Sequence, residues 1–302
     1  MILLLIIIII FFFSELQCSM PQNAPYSRPV KHRYHGKDVE VRHPKVELTG
    51  EQFLTGLRFL DNACETHTLN VLFSKGREGE RVYELFGKLL SIADRLGGCW
   101  WGCDPTKHPV TYLIMRTVGV SRGAIRLMQF GMYDEALTLV RTAGEAANLL
   151  MLVERDPASY QEWETGVRLR KKSKLTPLVV RQRLNKLNIS SPIHPNRYAR
   201  LSELVHAAAP VMPQHYSNDT QPRVGGMYQE VGATLVLYEL GLAMSLVTAA
   251  ATKLLMSPGA ARRLMRRTVV ELADAMLPVC DPPIADDWPI ATRMAREAAP
   301  TK

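Results

Sequence analysis

The chain has 302 residues, 47% hydrophobic and 22% charged, a composition ordinary for a globular protein and long enough for one large domain or two. Its net charge of +8 favours encounters with polyanions such as RNA, DNA or anionic lipid, although charge informs encounter and solubility rather than fold. Five cysteines at irregular spacing exclude the dense disulfide framework of a small secreted module and point to a reducing compartment, so cytoplasmic localisation is expected.

Residues 1–47 are read as an N-terminal apolar stretch followed by a basic, irregular arm. Met1 to Phe13 are all apolar. As a helix they would span roughly 20 Å at about 1.5 Å per residue, short of the roughly 30 Å hydrocarbon core. Nothing basic precedes the stretch, and Glu15-Leu16-Gln17-Cys18 fits neither a signal cleavage site nor a lipoprotein box. The expectation is a translation start at Met20, with a signal or anchor as the alternative if Met1 is the true start. Residues 20–45 carry Pro21, Pro29 and several His, Lys and Arg without a period.

A helical domain is expected over 48–280. Thr49 with Gln52 three residues on is a capping-box pattern, and Phe53, Leu57, Leu60 and Ala63 recur at helical spacing, giving a first helix over 50–74. A second follows Gly76 and Gly79 and ends at Gly97-Gly98; Pro109 opens a third, over 109–130, stopped at Gly131. The fourth covers 132–155, and Asp156-Pro157 caps and starts a fifth. Residues 168–192 are the most polar internal stretch and read as an insertion with a short helix at 177–187. Pro195 precedes a helix reaching about Ala208. Two long helices are expected over 226–256 and 258–279, the second with Ser257 as cap and Pro258 just inside. Residues 281–302, rich in Asp and Pro, read as an irregular tail. Almost no segment alternates with period two, so the fold class is all-α: a single multi-helix bundle with irregular ends. Val231 to Thr252 carries Glu239 as its one charge. Its length would permit a bilayer span, yet a mid-helix carboxylate among Gly, Ala and Ser fits a core helix better, and no stable membrane span is expected.

Within the 132–155 helix, Ala136, Val140, Ala143, Ala147 and Leu150 form an apolar seam, while Ala143, Gly144 and Ala147 permit close approach of another helix. Arg141, Glu145 and Asn148 run beside it at i, i+4 and i+7, where side chains meet along one edge. Downstream lies Tyr198-Ala-Arg-Leu-Ser-Glu-Leu-Val-His206. An arginine fork can neutralise a phosphate and a histidine can move protons near neutral pH, so Arg200 with His206 suits phosphodiester cleavage, although six steps of about 100° separate them by roughly 120° on an ideal helix. They converge if the helix begins late or if the site is shared between subunits. Ser202 shares a face with His206 at i and i+4.

Arg262, Arg263, Arg266 and Arg267 make a basic stripe, which is either a solvated face or a phosphate-backbone contact. Cys64, His67, Cys99 and Cys103 offer four zinc-type ligands, but at no common zinc spacing, so free thiols are the better reading and no metal or cofactor is expected. The chain has no Walker loop, dinucleotide glycine motif, His-Glu-x-x-His or nucleophile elbow, which makes nucleotide hydrolases, dehydrogenases and zinc peptidases improbable.

Gly131-Met-Tyr-Asp-Glu-Ala-Leu-Thr-Leu-Val-Arg-Thr-Ala-Gly-Glu145 and Tyr198–His206 resemble two motifs of a bacterial family of helical proteins of unassigned function, over about 110–250 in helix order. That family is in turn similar to the HEPN superfamily, helical bundles in which an Arg and a His four to six residues apart cleave RNA without metal, usually across a dimer. The resemblance implies an HEPN-like bundle and a homodimer, with Arg200 as phosphate clamp and His206 as acid and base in a defence or toxin-like setting. Leu201 stands where HEPN nucleases usually carry a polar residue. Arg141, Glu145, Asn148, Tyr198 and Ser202 would support the site. Two functions follow: a metal-independent ribonuclease, or a non-catalytic helical module binding RNA, a nucleotide or a protein partner.

Overall fold

Ten α-helices dominate the computed structural model, which describes residues 30–34, 37–41, 49–74, 76–102, 104–170, 174–189, 193, 195–203, 228–255, 258–279 and 288–298. The chain divides into two units, Met1–Leu57 and Arg58–Lys302. In the first, β1 (Val30–Tyr34) and β2 (Lys37–Val41) pair antiparallel, with Val30 opposite Val41 and His32 opposite Val39. The basic arm therefore holds a hairpin where an irregular segment was expected. Its β-branched and aromatic residues suit a strand, but interleaved Lys, Arg and Asp over only five residues per strand leave little apolar alternation to read.

Helix α1 (Gly50–Leu72) starts in this unit on the expected capping box: the Thr49 N–H donates to Gln52 Oε1 at 3.0 Å and the Gln52 N–H to Thr49 Oγ1 at 3.3 Å. Its predicted apolar stripe does not become core. Phe53 and Leu60 are exposed, and the buried line is Cys64, Thr68 and Leu72.

The second unit is an all-α bundle. Helices α2 (Glu78–Gly97), α3 (His108–Gln129), α4 (Tyr133–Arg155) and α5 (Pro157–Arg168) follow the predicted order, although α2 starts at Glu78 and takes in Gly79, which was read as an interruption before it. Asp156 caps α5 through its side chain, accepting from the Ala158 N–H at 3.2 Å. Gly131 closes α3 with φ of 76°, its N–H bonding Met128 O while the Met132 N–H reaches Leu127 O, the left-handed termination for which glycine is suited. Helix α6 (Pro177–Lys186) is capped by Thr176 and buries Val180 and Leu184 against α4. The segment read as a polar insertion is thus anchored in the bundle by two side chains one turn apart. Helix α7 (Pro195–Glu203) also rests on α4.

At the centre stands α8 (Glu230–Leu254), buried continuously from Val236 to Thr252 and packed most extensively on α4, then on α3 and on the C-terminal helix. By length and composition α4 and α8 could each cross a membrane, and 67% and 83% of their apolar windows lie inside the fold. Three buried hydroxyls of α8 and α3 donate to carbonyls one turn back: Thr248 to Met244 O, Thr252 to Thr248 O, Ser121 to Thr117 O. Such back-bonding satisfies a polar group that burial would otherwise penalise.

Helix α9 (Gly259–Met276) follows, with Pro258 at the cap position; Ser257 lies outside the described residues. The expected irregular tail instead contains α10 (Trp288–Ala298), which places Ala291, Met294, Ala295 and Ala298 on α8 and α9. That is an i, i+3, i+4, i+7 face, muted to a sequence reader because three of its four members are alanine. Lys253 and Arg155 bind both Glu154 and Glu297, tying α10 to α4 and α8. Burial opposes ionisation of Glu297, but Arg155 and Lys253 hold its carboxyl below the ordinary range.

Two glycines separate backbone from side-chain constraint. A Cβ on Gly79 would sit 2.0 Å from the Leu72 carbonyl oxygen, whereas one on Gly97 would meet the Met115 sulfur at 2.5 Å. The backbone cannot yield without moving the α1–α2 junction; the methionine can turn away. Gly79→Ala should therefore destabilise by about 2–3 kcal/mol and Gly97→Ala by less than about 1 kcal/mol in urea unfolding. Equal losses in the two variants would refute this account.

Candidate functional site

Helix α4 presents Arg141, Glu145 and Asn148 along one edge, and the structure joins all three to elements arriving from 177–203. Tyr198 on α7 is the hub. Its hydroxyl donates to Glu145 Oε1 at 2.9 Å and accepts from the Arg141 guanidinium, which also pairs with Glu145 at 3.2 Å. Two cations stack on its ring: Arg141 at 4.7 Å from the centroid and Arg181 of α6 at 4.1 Å. Arrangements of this kind are worth roughly 0.5–2 kcal/mol each, more where water is excluded. Arg141, Glu145 and Tyr198, three of the residues expected to support the site, lie together, and Arg181 is a member that sequence reading missed. Arg141 Nε and Arg181 Nη1 are buried with no acceptor among the described residues.

Asn148 does different work. Its Oδ1 accepts from the Ile193 N–H at 2.9 Å, and its Nδ2 faces the Ile193 carbonyl at 3.5 Å. One amide thus holds the backbone that leads into α7. Ser202 donates to the Tyr198 carbonyl at 2.6 Å within its own helix. Leu201 is 5% exposed, so the apolar residue beside Arg200 is a packing residue. Arg200 lies on α7; its side chain and the whole of His206 fall outside the described residues.

Beneath the hub sits an ion pair that sequence reading half anticipated. Glu239, the lone charge of the α8 core, accepts from Arg197 Nε at 2.9 Å through Oε1, and its Oε2 lies 2.9 Å from the same nitrogen as an ion-pair contact, with the side chains 3% and 1% exposed. The Arg197 guanidinium also lies 5.4 Å from the Tyr238 ring centroid. A carboxylate in mid-helix required a cation from somewhere. Nothing local in Pro195-Asn-Arg-Tyr198 marked Arg197, rather than Arg200, as that cation.

Among the described residues no group of three or more His, Cys, Asp or Glu is placed to hold a metal. Burial pushes the Cys64 thiol up to about 11, and His67 packs edge-on to Tyr228 at 4.8 Å. Cys99 occupies a turn at φ of 57°, and Cys103 lies outside the described residues. On α9, Arg263 and Arg267 are exposed and Arg262 and Arg266 half-buried. Arg267 borders a groove against α2.

No protein-family model, no curated protein and no solved structure matches the chain.

Removing one partner of the buried pair leaves the other charge uncompensated. Glu239→Gln should therefore cost about 3–5 kcal/mol in urea unfolding, and Arg197→Met with Glu239→Leu together should cost much less than either change alone. Additive losses would show that the two residues are not coupled. Asn148→Ala, which strands the Ile193 N–H, should cost about 1–3 kcal/mol.

Proposed function

We propose that the protein acts on RNA as a metal-independent endoribonuclease, with Arg200 and His206 as its catalytic pair, across a homodimer. In this reaction His206 takes the proton from a ribose 2′-hydroxyl as that oxygen attacks the adjacent phosphorus. Arg200 neutralises the charge gathering on the non-bridging oxygens. The bond to the 5′-oxygen breaks, that oxygen takes up a proton, and the products are a 2′,3′-cyclic phosphate and a 5′-hydroxyl end. The observation that carries the reading is the cluster around Tyr198. It sets two guanidiniums against one carboxylate beside the helix that bears Arg200, and that excess of positive charge suits a phosphodiester.

A second reading, a non-catalytic helical module that binds RNA, is favoured by how fully the supporting residues are engaged. Arg141 and Glu145 bind Tyr198, and Asn148 binds the Ile193 backbone, which is the work of a docking clasp. One experiment separates the two. Purified protein is incubated with mixed single-stranded RNA in chelator, beside His206→Ala and Arg200→Ala. The expected result is cleavage to cyclic phosphate ends by the wild type, at least about 100-fold slower in either variant, with deoxyribose substrates inert. Cleavage that persists in His206→Ala, or RNA bound and left intact by the wild type, overturns the enzyme reading in favour of the module.

A further inference from the structure

Helices α2 and α9 enclose a groove of about 270 Å³ on a surface that the Tyr198 cluster does not use. Its floor is apolar, with buried Ile92 and half-buried Leu264, and its rim carries Lys88, Arg95 and Arg267 against Glu271. Lys88 faces Glu84 at 2.7 Å and Arg267 faces Glu271 at 3.9 Å, both as solvent-exposed i, i+4 pairs. Pairs of this kind contribute little, and a phosphate can exchange for either carboxylate. Arg263, exposed one turn before Arg267, extends the basic line along α9.

What gives this patch chemical direction is Trp100. Its side chain is 72% exposed, an unusual place for an indole. The turn that bears it is well fixed. Cys99 takes the left-handed conformation at φ of 57°, its N–H bonds Leu96 O, and the Trp100 N–H reaches back to Arg95 O at 3.1 Å. That is a Schellman-type helix end, here with cysteine at the position glycine usually fills. The Arg95 guanidinium both borders the groove and lies 5.5 Å from the indole centroid, so the aromatic platform and the cationic rim share a residue.

The geometry points to a binding site for single-stranded nucleic acid: a base stacks on Trp100, and the neighbouring phosphates run along Lys88, Arg95 and Arg267. An exposed aromatic face beside a basic groove is the arrangement that holds unpaired strands without regard to sequence. A groove of this volume takes one base or phosphate, not a folded partner. A base needs the ring, whereas a lipid headgroup needs only the cations. The site goes beyond the cleavage reading and stands without it, because holding a strand requires neither Arg200 nor His206.

The test is fluorescence anisotropy of a short labelled 2′-O-methyl oligouridylate, which cannot be cleaved through its 2′-oxygen, titrated with the full chain across a range of salt concentrations. Trp100→Ala should weaken binding roughly five- to one-hundred-fold, and Trp100→Phe should recover most of it. Replacing Lys88, Arg95 and Arg267 together by Ala should flatten the dependence of log affinity on log salt by about 2, near 0.7 per lost phosphate contact. Melting temperatures of these exposed-site variants serve as the folding control. Affinity unchanged in Trp100→Ala overturns the proposal. So does a loss in the triple variant that is matched on phosphatidylserine vesicles while Trp100→Ala has no effect, since that describes a lipid-facing basic patch.

Discussion

The buried pair of Arg197 and Glu239 sets the frame in which the candidate site is held. Bringing either ion out of water costs several kcal/mol even after relaxation, and only close, well-oriented contact offsets it. The Arg197 Nε lies 2.9 Å from both carboxylate oxygens, with the Tyr238 ring nearby, and that contact turns the Arg197 side of α7 toward Glu239. Leu201, one turn beyond Arg197, is buried beside it. With those two positions turned inward, Tyr198 reaches α4, where its hydroxyl meets Arg141 and Glu145. The pair therefore acts on specificity of register more than on net stability, the role for which buried polar contacts are best attested.

The approach of the chain to α7 is fixed by a second constraint on α4. Gly144 and Asn148 lie four residues apart, and both address Ile193. A Cβ on Gly144 would come within 2.9 Å of Ile193 Cγ1, while Asn148 holds the Ile193 backbone. One residue makes room for the side chain and the other secures the main chain. Read from sequence, Gly144 belonged to a small-residue seam for a neighbouring helix. In the fold it makes room for a loop residue, while Ala136, Ala143 and Ala147 of the same seam have no exposed surface.

Most helix boundaries were legible because they are written in local chemistry: the Thr49 capping box, Asp156-Pro157, and Gly131 at a left-handed stop. The line of Arg141, Glu145 and Asn148 was legible for the same reason, since helical spacing alone places those residues on one edge. What was not legible depends on partners distant in sequence. Arg181 comes from a helix read as an insertion, and Arg197 finds Glu239 across 42 residues. The stripe on α1 misled in the opposite sense. Its spacing is helical, but spacing identifies a face without saying whether anything covers it, and Phe53 and Leu60 remain exposed. The C-terminal helix was hidden by the small size of its buried residues, and the hairpin by charged residues within short strands.

The cations of the described bundle sort by what they face. Arg155 and Lys253 meet Glu154 and Glu297, a balanced set of two and two that joins three helices. Arg183 binds Glu162 and Ser159 to hold α6 on α5, and Arg126 binds Glu65 to hold α3 on α1. These contacts link helices and leave little local field. Around Tyr198 and along the groove between α2 and α9 the count is unequal, with guanidinium and ammonium groups outnumbering carboxylates and aromatic faces lying among them. Field strength at a surface follows such local imbalance rather than the total charge of the chain. Of the two places, the Tyr198 ring is already covered by its own guanidiniums, so the groove beside the exposed Trp100 is where an anionic, base-bearing polymer would gain most, from phosphate neutralisation and stacking together.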